Sequence, residues 1–188
     1  MNSTRLRFSF KVLMFTVLFF LACGFQTSFW PHIVSFIPSP QIWLIIMIFL
    51  LIRWPPLLAI FYIYFLGFCL TQFSDVPLKM IWAPSLLMFA VLWLIKNRVQ
   101  LSGALFFVLL TLTGSFVFEL STYYFSGLLE SIPAQLMFFD RLIQILINFI
   151  FCYPLYFFLT AFDRFLFDED QWKKSAQHSS AEALNYES

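Results

Sequence analysis

Charge is what this chain has least of. Lysine, arginine, aspartate and glutamate make up 11% of its 188 residues, where a soluble domain carries about a quarter. So little polar surface cannot cover the chain in water. A soluble α-protein with buried hairpins is therefore the disfavoured alternative, because every part of the sequence shares this composition. Histidine is nearly absent: His32 and His178 are the only two, one in a loop and one in the tail, so no zinc site or histidine-based catalytic set forms within the apolar spans. Gly-rich phosphate loops, Gly-x-Ser-x-Gly and His-Glu-x-x-His are missing. No cluster of acids or histidines gathers at one interface, as a lipid-modifying enzyme requires. The chain reads as non-catalytic and without a cofactor. Cys23, Cys69 and Cys152 all fall inside apolar runs, at spacings that fit neither a metal site nor a disulfide framework. They are read as small hydrophobic filler. A net charge of +1 gives no reason to expect nucleic acid.

What the chain has is apolar length. Hydrophobic residues account for 61% of it, including 28 phenylalanines, which suit lipid-facing surface and packing bulk. About 20 apolar residues cross a bilayer, so the expected fold is all-α: a polytopic membrane protein of six transmembrane helices in one domain over residues 1–167. Residues 168–188, opening on Asp168-Glu169-Asp170 and continuing Ser/Ala/Glu-rich, are expected to be a disordered cytoplasmic tail. Arg5, Arg7 and Lys11 precede the first apolar run, which ends near Trp30. A signal peptide begins the same way, but the run continues past any plausible cleavage point, which favours an uncleaved first helix. Pro31–Pro40, with three prolines and neither acid nor base, reads as an external loop. The later spans are expected over Gln41–Ile52, Leu57–Phe73, Met80–Ile95, Leu101–Phe125 and Leu142–Phe162. Polar turns at residues 74–79 and 96–98 and a loop at residues 126–139 separate the last four. The second span is short, about 18 Å at 1.5 Å per residue. It must borrow from the loop before it, sit in thinned bilayer, or rest between neighbours.

Arg53-Trp54-Pro55-Pro56 joins the second and third spans. Two prolines break any continuous helix, and an arginine with a tryptophan suits the headgroup region, where the indole straddles the boundary. With the N-terminus inside, the cytoplasmic segments hold Arg5, Arg7, Lys11, Arg53, Lys96, Arg98, Arg164, Lys173 and Lys174, and the external ones only Lys79 and Arg141. That asymmetry is what the positive-inside rule demands. Both termini and the Arg53 elbow are thus expected in the cytoplasm.

Ionisable groups inside spans are functional candidates, and Glu119 is the one well inside. It is read either as a carboxylate hydrated or hydrogen-bonded near the outer interface, or as a partner-contact or proton-linked group. Asp140 suits a helix start. Arg141, Gln144 and Asn148 follow at three- and four-residue steps on one face, and that stripe should face protein. Glu119 pairing with Arg141 or Asn148 is the expected lock between the last two helices. Small residues from Ser102 to Ser115 give the fifth span a face for close packing.

The order of local features resembles the MreD family, the rod shape-determining membrane proteins of bacteria. Phe25-Gln26-Thr27-Ser28-Phe29-Trp30-Pro31 is similar to that family's Gln-Thr-rich close of the first helix before a proline. A Pro-acid pair typically opens the next span there; Pro40-Gln41 stands in its place, without the acid. The basic elbow at Arg53, the run Ala59–Gly67, Asp75 with Pro77-Leu78, and Asn148…Pro154 in the last span follow in the family's order, although the Asp75 turn is shorter and lacks the following glycine. The resemblance covers roughly residues 8–166. It implies a non-enzymatic protein of the bacterial inner membrane that binds MreC, a single-span scaffold. Through MreC it would reach actin-like MreB inside the cell and the cell-wall polymerase and transpeptidase outside. The family also looks like the substrate-binding subunits of energy-coupling vitamin transporters, so a small-molecule-binding subunit is the alternative expectation, with a pocket toward the external face. Arg53, Trp54, Asp75, Glu119, Arg141, Gln144 and Asn148 are the candidates for partner contact or helix packing. Arg53-Trp54 and the Lys96-Asn97-Arg98 turn suit either the cytoskeleton or anionic lipid, with lipid the simpler reading.

Overall fold

Ile42–Arg53 carries one polar residue in twelve, Arg53 at its end, and a helix that is apolar all round must be surrounded. It is. In the computed structural model, which describes residues 3–34, 37–74, 76–99, 103–130 and 138–166, every residue from Trp43 to Leu51 is buried. The described residues form α1 (Ser3–Gly24), a π-helical turn (Phe25–Phe29), α2 (Trp30–Ile33), α3 (Ile42–Arg53), α4 (Pro56–Leu70), α5 (Leu78–Arg98), α6 (Ala104–Leu129) and α7 (Phe138–Leu166). Four stretches are long and apolar enough to cross a bilayer: Ser9–Ile33, Leu78–Arg98, Ala104–Leu129 and Phe138–Phe165. The helices α3 and α4 are shorter, at 12 and 15 residues. The chain is an all-α polytopic membrane protein.

Five helices close a ring around α3. Backbone neighbours run α1–α4–α5–α6–α7, and α3 touches all five. Side chains close the ring between α7 and α1: Phe15 lies edge-on to Phe162 at 5.5 Å, Trp30 edge-on to Phe151 at 5.6 Å, and Lys11 pairs with Asp163 at 2.5 Å. Aromatic pairs of this geometry add about 0.5–1.5 kcal/mol each beyond the area they bury.

The same contacts fix direction. The start of α3 meets Glu119 of α6 and Asn148 of α7, and its end meets Lys96 of α5. Phe49, near that end, packs on Phe15 of α1 and Phe107 of α6. Tyr62 of α4 shares a 2.6 Å hydrogen bond with Thr16 of α1, and Phe73 beyond α4 packs on Phe20. Successive passes therefore alternate in direction. Lys11, Arg53, Lys96, Arg98 and Arg164 gather at one end, with Lys79 and Arg141 at the other. The positive-inside rule assigns the first end to the cytoplasm.

Helix ends differ from the sequence expectation. The first helix runs on to Ile33 instead of ending at Trp30, through a widened turn in which the Trp30 N–H reaches back to Phe25 O. Pro31 has no N–H and its ring crowds the carbonyl four residues earlier, and a π-type turn relieves both. The helix α6 extends to Leu129, four residues past Phe125, with a Ser126–Glu130 side-chain bond of 2.7 Å at its end. The helix α7 starts at Phe138 with Asp140 in its first turn, and continues through Pro154. Hydropathy marks where lipid is, and a helix is free to continue past it.

Trp54 also differs: it is 5% exposed, edge-on to Phe15 and 5.0 Å from Tyr62. The turn into Pro55 folds the indole inward, so it packs helices together rather than straddling the membrane boundary. The expected tail at 168–188 lies outside the described residues.

Candidate functional site: the capped ends of the buried helix

A helix of 12 residues reaches about 18 Å, and the hydrocarbon layer is about 30 Å thick. The helix α3 therefore cannot reach both faces of the layer, and at least one of its ends falls inside the bundle. The first N–H groups and last carbonyls of a helix lack partners within it, and in hydrocarbon each unsatisfied group costs several kcal/mol. Neighbouring helices supply the partners.

At the start of α3, the Gln41 backbone N–H donates to Asn148 Oδ1 at 2.8 Å. Asn148 Nδ2 donates to Gln41 Oε1 at 2.9 Å and to Ser115 Oγ at 3.1 Å. Gln41 Nε2 donates to Glu119 Oε1 at 2.7 Å, and Arg141 Nη1 to Glu119 Oε2 at 2.7 Å. Gln144 Nε2 donates to the Ser39 carbonyl. The amide orientations follow from the network, since only Oδ1 of Asn148 can accept from a backbone N–H. Gln41, Ser115, Glu119 and Asn148 are all buried, whereas the Arg141 side chain is 45% exposed. The cluster thus meets water at Arg141. A carboxylate beside a helix start is favoured by the helix dipole, and Arg141 balances its charge.

At the other end, Lys96 Nζ donates to Leu51 O at 3.2 Å and to Ile52 O at 2.8 Å. The exposed Arg53 guanidinium lies 5.6 Å from the Phe49 ring centroid. Anion at the start and cations at the end complement the dipole of α3.

The expected lock is present in a richer form. Glu119 pairs directly with Arg141, and reaches Asn148 through Gln41. Arg141, Gln144 and Asn148 all turn their polar atoms toward protein. Trp54 belongs to the packing around Phe15 and stands apart from this cluster, Arg53 lies at the opposite end of α3, and Asp75 lies outside the described residues. Sequence reasoning missed Gln41, Ser115 and Lys96 as members. The available signal was the shortness of the second span, which obliges other helices to cap at least one of its ends. Chemically, both Glu119 oxygens already accept hydrogen bonds from the chain itself, so the cluster serves to fasten α3, α6 and α7.

Comparisons with family models, curated protein sequences and solved structures found no match to this chain.

Proposed function

We propose that this chain is a non-catalytic component of the bacterial cell-elongation complex in the inner membrane. It binds an MreC-like single-span protein there, helping to organise peptidoglycan synthesis and maintain cell shape. The observation that supports this reading is the reciprocal pairing of Gln41 with Asn148. Two positions picked out by the resemblance to the MreD family, at the start of the second span and in the last span, lie 107 residues apart. They hydrogen-bond to each other at the head of the buried helix. The acid that the family pattern places beside the proline is replaced here by Gln41, and a carboxylate reaches the same spot from α6 as Glu119.

In this reading the polar cluster holds the bundle in one shape and recognition happens outside it. The partner's single helix lies against an outward face and is read by shape and small residues, since apolar burial alone does not drive helix association within lipid. Affinity purification from gently solubilised membranes, with co-purifying proteins identified by mass spectrometry, tests this. Enrichment of an MreC-like single-span protein with cell-wall polymerase and transpeptidase is the expected result. Enrichment of paired ABC-type ATPases with a large membrane coupling subunit would overturn it in favour of vitamin uptake.

A further inference from the structure

A cavity of about 400 Å³ opens at the end of α3 that carries Arg53. Phe49, Phe106, Phe107 and Tyr156 form apolar and aromatic wall, and Arg53 and Lys96 supply its charge. The volume is within the range of small-ligand sites, about 300–1,000 Å³. Among the described residues, Arg53 and Lys96 meet no carboxylate; the acids that pair with cations are Asp163, with Lys11, and Glu119, with Arg141. Two of the three Lys96 N–H bonds go to the α3 carbonyls, leaving a donor from this ammonium. Gly103 also lines the cavity, in a left-handed backbone conformation at φ 96° that heads α6 without any side-chain cap. The positive end of the α6 dipole adds to the same potential. The cavity lies at the end of the bundle where the other cations gather, the end that the positive-inside rule assigns to the cytoplasm.

We infer that this cavity is a binding site for the phosphate of an anionic phospholipid, with Arg53 and Lys96 holding the phosphate and the aromatic wall taking the glycerol and first methylenes. Basic pockets between membrane helices on the cytoplasmic side suit such headgroups. A zwitterionic lipid brings a headgroup ammonium that two cations repel. A soluble phosphate ester would use the charges and leave the aromatic wall idle. This inference stands apart from the cell-elongation reading, because it rests on the cavity alone.

The full chain, reconstituted with equal phosphatidylglycerol and phosphatidylcholine and then purified in mild detergent, would be examined by native mass spectrometry for retained lipid. The wild type should retain phosphatidylglycerol preferentially. Arg53→Gln should retain roughly fivefold less, the effect of one basic residue near an anionic lipid, and Arg53→Lys should keep most of it. Arg98→Gln, which removes a cation from the same end but outside the cavity, should match the wild type. Equal retention of the two lipids would overturn the inference, as would an Arg98→Gln loss as large as that of Arg53→Gln. Displacement of the lipid by glycerol 3-phosphate or inorganic phosphate would overturn it in favour of a soluble phosphate ligand.

Discussion

Replacing Glu119 by leucine removes the acceptor for two hydrogen bonds, from Gln41 Nε2 and from Arg141 Nη1. Breaking a fully buried ion pair from one side costs about 3–5 kcal/mol, because the surviving charge is stranded. Here the survivor is Arg141, whose side chain is 45% exposed and can turn to water, so its share falls toward the 0–1 kcal/mol of a surface pair. The Gln41 amide has no such escape and is orphaned in the bundle at about 1–3 kcal/mol. The expected loss for Glu119→Leu is therefore about 2–3 kcal/mol, set by Gln41 more than by the ion pair. Glu119→Gln, which keeps an oxygen for Gln41, should cost about 1 kcal/mol. Arg141→Gln strands the Glu119 carboxylate instead, which is 6% exposed, and should cost about 3–5 kcal/mol. Reversible unfolding in mixed detergent–lipid micelles, followed by circular dichroism, measures all three. If Glu119→Gln, which keeps the acceptor for Gln41, proves as damaging as Glu119→Leu, the assignment of the cost to Gln41 is refuted.

Two further outcomes follow from the packing. Lys96→Met keeps the side-chain stem but leaves Leu51 O and Ile52 O without the ammonium; about 1–2 kcal/mol should be lost in the same unfolding assay. A Cβ at Gly114 would lie 2.7 Å from Ile48 and 3.1 Å from Leu92 side-chain atoms. Gly114→Leu should therefore push α6 away from α3 at about 1–3 kcal/mol or more, whereas the exposed Gly127, with open space around it, should accept alanine without loss.

The apolar helices and their alternating order were legible in the sequence because hydropathy and the placement of lysine and arginine respond to the same bilayer that orders the helices. The Arg141–Gln144–Asn148 stripe was legible too, since polar groups three and four apart share a helix face and avoid lipid. What could not be read was depth. The shortness of Gln41–Ile52 left three possibilities, and only the packing shows that α3 rests between neighbours. Gln41 looked like a boundary residue because nothing local says that Asn148 and Glu119 converge on it from more than 70 residues away. Trp54 misled for a related reason: an indole beside an arginine suits the interface, but the direction of the turn into Pro55 decides whether it faces lipid or the bundle.

The link on which both the fold and the proposed function lean is Gln41 to Asn148, and a double-mutant cycle across it probes that link directly. Gln41→Leu, Asn148→Leu and the double variant would be unfolded under identical conditions. Bonded as the structure has them, the two side chains should show a coupling of about 0.6–1.7 kcal/mol, from the average to the maximum found for interhelical hydrogen bonds in membranes. Additive losses, within about 0.3–0.5 kcal/mol, would mean that the two side chains do not meet at the head of α3.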